Sequence, residues 1–168
     1  IYKFYQFEFL IMIFFEPEQY QKRCTQLFNL YRKQISALLP SAQIEHIGSS
    51  AIPNAFSKGD LDIYIEVLPD QFEFAIEQLK TLNFIEKQNT LRTNELCMLE
   101  SLNNDDVAFQ VVVTGSIFTF FLTFRDKLIA SPTLVNEYNQ LKLQSTHLDH
   151  DQYRAVKSNF IERVLSHS

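Results

Sequence analysis

The chain has 168 residues, of which 46% are apolar and 21% charged, with 3 Gly, 5 Pro, 16 Phe and 7 Tyr. That size and apolar content suit one compact domain over 1–168 and exclude collagen-like, low-complexity and disordered classes, because so much apolar surface offsets chain entropy. The 15 Lys and Arg stand against 20 Asp and Glu, net charge −5; such a field repels phosphate backbones, so no nucleic-acid polymer is expected as a partner.

In chain order, the apolar run Phe9 to Phe15 reads as a short buried strand. It is bracketed by Glu8 and Glu16 and is far shorter than the roughly 20 residues a spanning helix needs, so no membrane anchor is expected. Lys3 alone supplies positive charge ahead of it, a poor basis for a secretory signal, and the origin of residues 1–11 is ambiguous. Glu16-Pro17-Glu18 suits a helix start. From Tyr20 to Leu39 the positions Cys24, Leu27, Phe28, Tyr31, Ile35, Leu38 and Leu39 form one apolar stripe, which predicts a helix ended by Pro40-Ser41. Residues 42–47 read as extended, and Gly48-Ser49-Ser50 opens a short helix interrupted near Pro53.

Asp60 to Val67 alternates strictly, with Asp60, Asp62, Tyr64 and Glu66 on one parity and Leu61, Ile63, Ile65 and Val67 on the other. This is the clearest strand in the chain. Pro69-Asp70 then opens a helix with Phe72, Ala75, Ile76, Leu79 and Leu82 inward, followed by a strand at Phe84–Glu86. Strands at Glu95–Leu102 and Val107–Val113 flank Asn103-Asn104-Asp105-Asp106, the composition of a hairpin turn. Three helical segments follow: Ile117 to about Ala130, Pro132–Leu143, and about Gln152–Leu165. The expected fold is α+β, a small mixed sheet covered by helices, with a core at 9–116 and C-terminal helices at 117–168. Cys24 and Cys97 lack ligand spacing and read as buried thiols of a reducing cytoplasm.

The chemistry-bearing pair is Asp60 and Asp62, because an i, i+2 spacing on a strand aims both carboxylates to one face. Mg²⁺ or Mn²⁺ takes oxygen ligands of this kind, commonly one or two protein carboxylates with substrate phosphates completing the shell. A solvated polar face is the competing reading of such a short motif taken alone. Gly48-Ser49, eleven and more residues upstream, changes the balance: the helix start and the Ser49 hydroxyl would hold phosphates while the carboxylates bind the metal. A β-polymerase-type nucleotidyltransferase uses this arrangement, with a nucleoside triphosphate as substrate.

His46-Ile-Gly-Ser-Ser-Ala-Ile-Pro53, followed by Lys58-Gly-Asp-Leu-Asp-Ile63, resembles the signature of the GrpB family. Phe124-Arg125-Asp126, with Pro132, Tyr138 and Lys142, resembles its Phe-Arg-Asp element and the helix after it, and Tyr153, Lys157, Phe160 and Ile161 its closing helix. The resemblance covers about residue 13 to the C-terminus. It implies a nucleotidyltransferase-like fold, and the fusion of some relatives to dephospho-CoA kinase hints at nucleotide or coenzyme A metabolism. Two departures stand out. Asn54 replaces a frequent Gly after the Pro, and tolerates a left-handed backbone at modest cost. The resemblance also implies a third carboxylate on a neighbouring strand, where this chain has Gln110, an amide that cannot accept a proton as a general base. Glu95, Glu100 and Asp106 are the substitutes the fold would have to bring close.

Around this motif, His46, Ser50, Lys58 and Arg125 are the further candidates to touch a phosphate. The competing readings are a turn-fixing histidine, a solvated lysine and, for Arg125 with Asp126, an internal ion pair. Tyr138 with Lys142 and Tyr153 with Lys157 each share a helical face and would line a cleft, or else pack while their ammonium heads reach water. Phe118, Phe120, Phe121 and Phe124 read as core, and His147, His150 and His167 as surface. The resulting expectation is a cytoplasmic protein binding a nucleotide with Mg²⁺ at Gly48, Ser49, Asp60 and Asp62 and transferring a nucleotidyl group to a small acceptor. The rivals are an inactive nucleotide- or coenzyme-A-binding module and a structural protein.

Overall fold

A computed structural model describes residues 12–167 of the chain. Among the described residues, five strands form one mixed sheet with five α-helices on its two faces: α1 (Pro17–Leu38), β1 (Gln43–Ile47), β2 (Leu61–Val67), α2 (Phe72–Lys80), β3 (Phe84–Glu86), β4 (Leu96–Ser101), β5 (Val107–Val113), α3 (Phe120–Ala130), α4 (Pro132–Gln144) and α5 (His150–Ser166). Strand order is β1-β2-β5-β4-β3, antiparallel throughout except for the parallel pair β2·β5.

The helix starts follow local chemistry. Pro17 opens α1, where the Gln19 side chain accepts from the Glu16 N–H at 2.8 Å. At α5 the Asp149 carboxylate accepts from the Gln152 N–H at 2.8 Å. In the β4–β5 hairpin, Asn104 and Asp106 take left-handed φ values of +57° and +53°, a conformation these short polar residues tolerate.

Alternation along β2 divides the molecule. Leu61, Ile63, Ile65 and Val67 join Val107, Phe109, Val111 and Val113 of β5 in the main core under α1 and α2, with Cys24 and Cys97 buried inside it. Tyr64 and Val112 point the other way and pack with Ile47, Leu96 and Phe118. A third cluster, Ile52, Ala55, Leu128, Val135, Tyr138, Phe160 and Val164, bonds the C-terminal helices to the loop after β1.

One expectation is corrected, and one is made more specific. The strand expected at 9–15 is absent over Met12–Phe14, and Phe15 makes a single antiparallel bridge with Ser57, since the chain turns into α1 at Pro17; residues 9–11 lie outside the described residues. The short helix after Gly48 is one 3₁₀ turn, Ser49–Ala51, because Pro53 lacks the N–H a continuing helix needs. Asn54 takes φ +63°, the left-handed conformation expected there.

Candidate functional site

β1 ends at Ile47, which pairs with Asp62 of β2. The next residue, Gly48, has φ +72° and ψ −175°, a region essentially confined to glycine. A Cβ added there would stand 2.7 Å from Asp62 Oδ2 and 3.2 Å from Asp62 Cβ. The missing side chain therefore lets the Gly-Ser turn lie directly on the second carboxylate. Asp60, one residue before β2, has its Oδ1 3.5 Å from Ser57 Oγ, and that hydroxyl accepts the Gly59 N–H at 2.9 Å.

The carboxylates stand against each other's charge. Burial, and then the nearby Asp60, push the Asp62 carboxyl up to about 6, while Lys157, Lys87 and Lys58 pull it back. Two like charges in a partly buried turn are an unfavourable arrangement that a cation relieves.

Cations arrive from the C-terminal helices. Lys142 of α4 is 1% exposed, and its Nζ donates to Ser49 Oγ at 2.7 Å and to the Phe56 carbonyl. Burial, reinforced by Lys157, holds its amine well below ordinary basicity. The Lys157 ammonium of α5 is held above its usual range, most by Tyr138, with Tyr153, Asp62 and Asp60 adding to the effect against burial. Lys58 is exposed, with Nζ 5.8 Å from the centroid of the Tyr153 ring. The Tyr138–Lys142 face thus meets the Gly48–Ser50 turn, while Lys157 acts on the carboxylate pair through its charge. The i, i+4 spacing exposed each face, but nothing in sequence indicated that the buried Lys142 would reach Ser49, 93 residues away.

Other candidates lie around the turn. His46 pairs with Ile63 and so belongs to the α1 face of the sheet, opposite Asp62; its ring stacks on Phe28 at 4.9 Å and its Nε2 is 2.8 Å from Ser50 Oγ. Ser50 is buried. Arg125 of α3 pairs with Glu45 at 2.9 Å and Asp126 at 2.8 Å, and donates to the His46 carbonyl at 3.0 Å. These contacts bind β1 to α3.

Gln110 of β5 pairs with Tyr64 and shares the Asp62 face; it is buried, and its Oε1 has no hydrogen-bond partner among the described residues. Of the substitutes for a third carboxylate, Glu100 occupies the same row as Asp62, with Ala108 between them, which places its backbone about 10 Å away by strand spacing. Among the described residues no third His, Cys, Asp or Glu joins the pair in a cluster able to hold a metal.

A family model described as GrpB protein matches residues 16–167. The chain belongs to the GrpB family. A UPF0157 protein of Vibrio cholerae is 55% identical to this GrpB-family chain over 154 residues, covering 92% of the chain and 82% of the relative. A UPF0157 protein of Deinococcus radiodurans is 30% identical over 140 residues, 82% and 73% of the two chains. Among solved structures, the conserved protein GrpB from Enterococcus faecalis matches with a TM-score of 0.68 at 15% identity, over 92% of this chain and 100% of that one. The MgGTP-bound Cid1 poly(U) polymerase matches with a TM-score of 0.52 at 14% identity, over 72% of this chain and 39% of that one. The likeness to both bears out an α+β, nucleotidyltransferase-like fold for this GrpB-family chain. No helix among the described residues is long and apolar enough to cross a membrane.

Proposed function

We propose that this GrpB-family protein binds a nucleotide together with Mg²⁺ or Mn²⁺ at Asp60 and Asp62, and transfers a nucleotidyl group from a nucleoside triphosphate to a small hydroxylated acceptor. The observation that carries this is the contact of Gly48 with Asp62, which sets the Gly-Ser turn against one of the two carboxylates. The donor set fits the ion, since Mg²⁺ takes few protein carboxylates and completes its shell with water and phosphate oxygens. When bound, a divalent cation neutralises phosphate charge and the leaving pyrophosphate.

The chain's own residues do the positioning. Asp60 and Asp62 would orient the cation, and Gly48 lets the turn lie directly against Asp62. The Ser49 hydroxyl and the Lys58 ammonium add charge-assisted hydrogen bonds. His46 and Ser50 hold the turn from the opposite face, and Arg125 braces β1 against α3, so these three act on the ligand through the backbone of residues 46–50. The net charge of −5 favours a small-molecule ligand over a nucleic-acid polymer, in a cytoplasmic setting.

Gln110 favours a second reading, binding without turnover, because the amide shares the Asp62 face yet cannot take a proton from an acceptor. Calorimetric titration with the four ribonucleoside triphosphates, with and without Mg²⁺, tests the shared premise. Metal-dependent binding that the Asp60→Asn, Asp62→Asn double variant abolishes is expected; no binding, or binding that the variant keeps, refutes it. Pyrophosphate release with an acceptor panel then separates turnover from binding alone.

A further inference from the structure

Beside Asp62 the sheet carries a strip whose polar groups the proposed metal and phosphate contacts leave unused. Leu61, Ile63, Phe109 and Leu99 face the core under α1 and α2, so Asp62, Ala108, Met98 and Glu100 face the other way. Ile85 of β3 pairs with Glu100, and the Lys87 N–H donates to the Met98 carbonyl at 2.9 Å, which puts Ile85 and Lys87 on this second face too. Phe118, in the turn before α3, covers one end of it, on Tyr64, Leu96 and Val112. Ala108, Met98 and Glu100 stay partly exposed, and Ile85 is 41% exposed. The strip is a shallow apolar floor with Asp62 along one side.

Three groups on this floor lack partners among the described residues. Gln110, 4% exposed, stands between Tyr64 and Met98, and its Oε1 is buried without a hydrogen bond. A buried amide oxygen has given up water with nothing in return until a donor reaches it. Lys87 and Glu100, diagonal neighbours on β3 and β4, make no ion pair within 4.0 Å. The Lys87 charge acts on Asp62, so its ammonium leans over the strip toward β2. Of the other carboxylates on this face, Glu66 accepts from the Tyr64 hydroxyl and Glu45 pairs with Arg125. A lone anion drawn to Lys87 would stand beside Glu100, and a lone cation drawn to Glu100 would stand beside Lys87. A zwitterion satisfies both, with its carboxylate on Lys87 and its ammonium shared by Glu100 and Gln110 Oε1.

We infer that this strip is the acceptor subsite and that the acceptor is a phenolic amino acid of about the length of tyrosine. The inference rests on the nucleotidyl-transfer reading above and names its acceptor. Glu100 and Lys87 lie about 10–14 Å from β2 by strand spacing, so only a hydroxyl at the end of a long side chain reaches Asp62 from a head group held there. The Ala108–Met98 floor matches a ring, since thioether sulfur packs well against aromatic edges. In the transfer, the phenol oxygen bonds to the α-phosphorus, the α–β anhydride bond breaks, pyrophosphate leaves and the phenol proton passes to water. A phenol ionises near pH 10, far more readily than an alkyl alcohol, which suits a site where Gln110 stands in place of a carboxylate base.

Ligand-observed NMR on the full chain with Mg²⁺ tests it, using L-tyrosine, tyramine, which lacks the carboxylate, and 3-(4-hydroxyphenyl)propionate, which lacks the ammonium. L-Tyrosine is expected to bind about tenfold or more tighter than either analogue. Lys87→Met should bring L-tyrosine within about twofold of tyramine, and Glu100→Gln should do the same against the propionate; both side chains reach solvent, so the fold survives either change. L-Tyrosine binding no better than both analogues, or a preference that neither variant alters, overturns the subsite. The nucleotide titration described above separates the two readings. Metal-dependent nucleotide binding that Asp60→Asn, Asp62→Asn abolishes, without a preference for L-tyrosine, overturns the acceptor inference alone. Absence of metal-dependent nucleotide binding overturns the transfer reading, and the acceptor assignment with it, even where L-tyrosine binds.

Discussion

Gly48 and Asp62 touch across the edge of the β1–β2 pair: the position of a Gly48 Cβ is 2.7 Å from Asp62 Oδ2, with the glycine at φ +72°. Both the space and the backbone angle require glycine. Gly48→Ala is expected to destabilise the fold by about 1–3 kcal/mol, the usual cost of a side chain in so sparsely populated a region. It is also expected to swing the Asp62 carboxylate out of place. Urea denaturation checks the first effect and Mg²⁺-dependent nucleotide titration the second. Wild-type behaviour in both would show that the turn does not need this contact.

His46 makes stability depend on pH in a defined direction. Burial, and then the Arg125 cation, lower its pKa from 6.5 to about 4, so the unfolded state takes up a proton first. The contribution is complete above pH 6.5 and is lost as pH falls toward 4. Allowing for the part of the ring that solvent reaches, it is about 1–2 kcal/mol. Asp62 runs the opposite way: its carboxyl is raised to about 6, so its protonation favours the folded state as pH falls through 6. Denaturation midpoints at pH 7 and 4.5 for wild type and His46→Gln isolate the histidine, the variant losing less on acidification. In NMR titration Arg125→Met should move the His46 midpoint upward. A wild-type midpoint at 6.5 contradicts the burial account.

Lys142 sits at the turn at the expense of stability. Replacing a buried amine with an apolar side chain of similar length removes its desolvation cost, at the loss of the bonds to Ser49 and Phe56. Lys142→Met is expected to leave the ligand-free protein unchanged or up to about 2 kcal/mol more stable. Thermal unfolding without ligand measures this. A loss of about 3 kcal/mol or more would identify Lys142 as a structural strut between α4 and the turn.

Most elements were legible because period and turn chemistry agree. The alternation at Leu61–Val67, the stripe from Cys24 to Ile35 and the Asn103–Asp106 turn each led to an element observed within a residue or two. Less legible were features decided by distant packing. The apolar run before Pro17 looks like a strand, yet over the described residues only Phe15 finds a partner, Ser57. His46 sits beside the motif in sequence, but the register with Ile63 sends it to the opposite face from Asp62. The Tyr138–Lys142 spacing marks one helical face without saying what it packs on, and the answer, Ser49, requires α4 to fold back over the loop after β1. Gly48, Ser49, Asp60 and Asp62 read as one site in the sequence; the contact of Gly48 with Asp62 follows from Ile47 pairing with Asp62.

The most direct test of the proposed site is a Mn²⁺ titration followed by paramagnetic resonance, with and without a nucleoside triphosphate, on wild type and on Asp60→Asn, Asp62→Asn. If the carboxylate pair and a phosphate chain hold the ion together, wild type retains Mn²⁺ far more tightly with nucleotide present, and the double variant loses that gain. Equal Mn²⁺ retention by both proteins, or no effect of nucleotide on wild type, would contradict a shared metal and nucleotide site at Asp60 and Asp62.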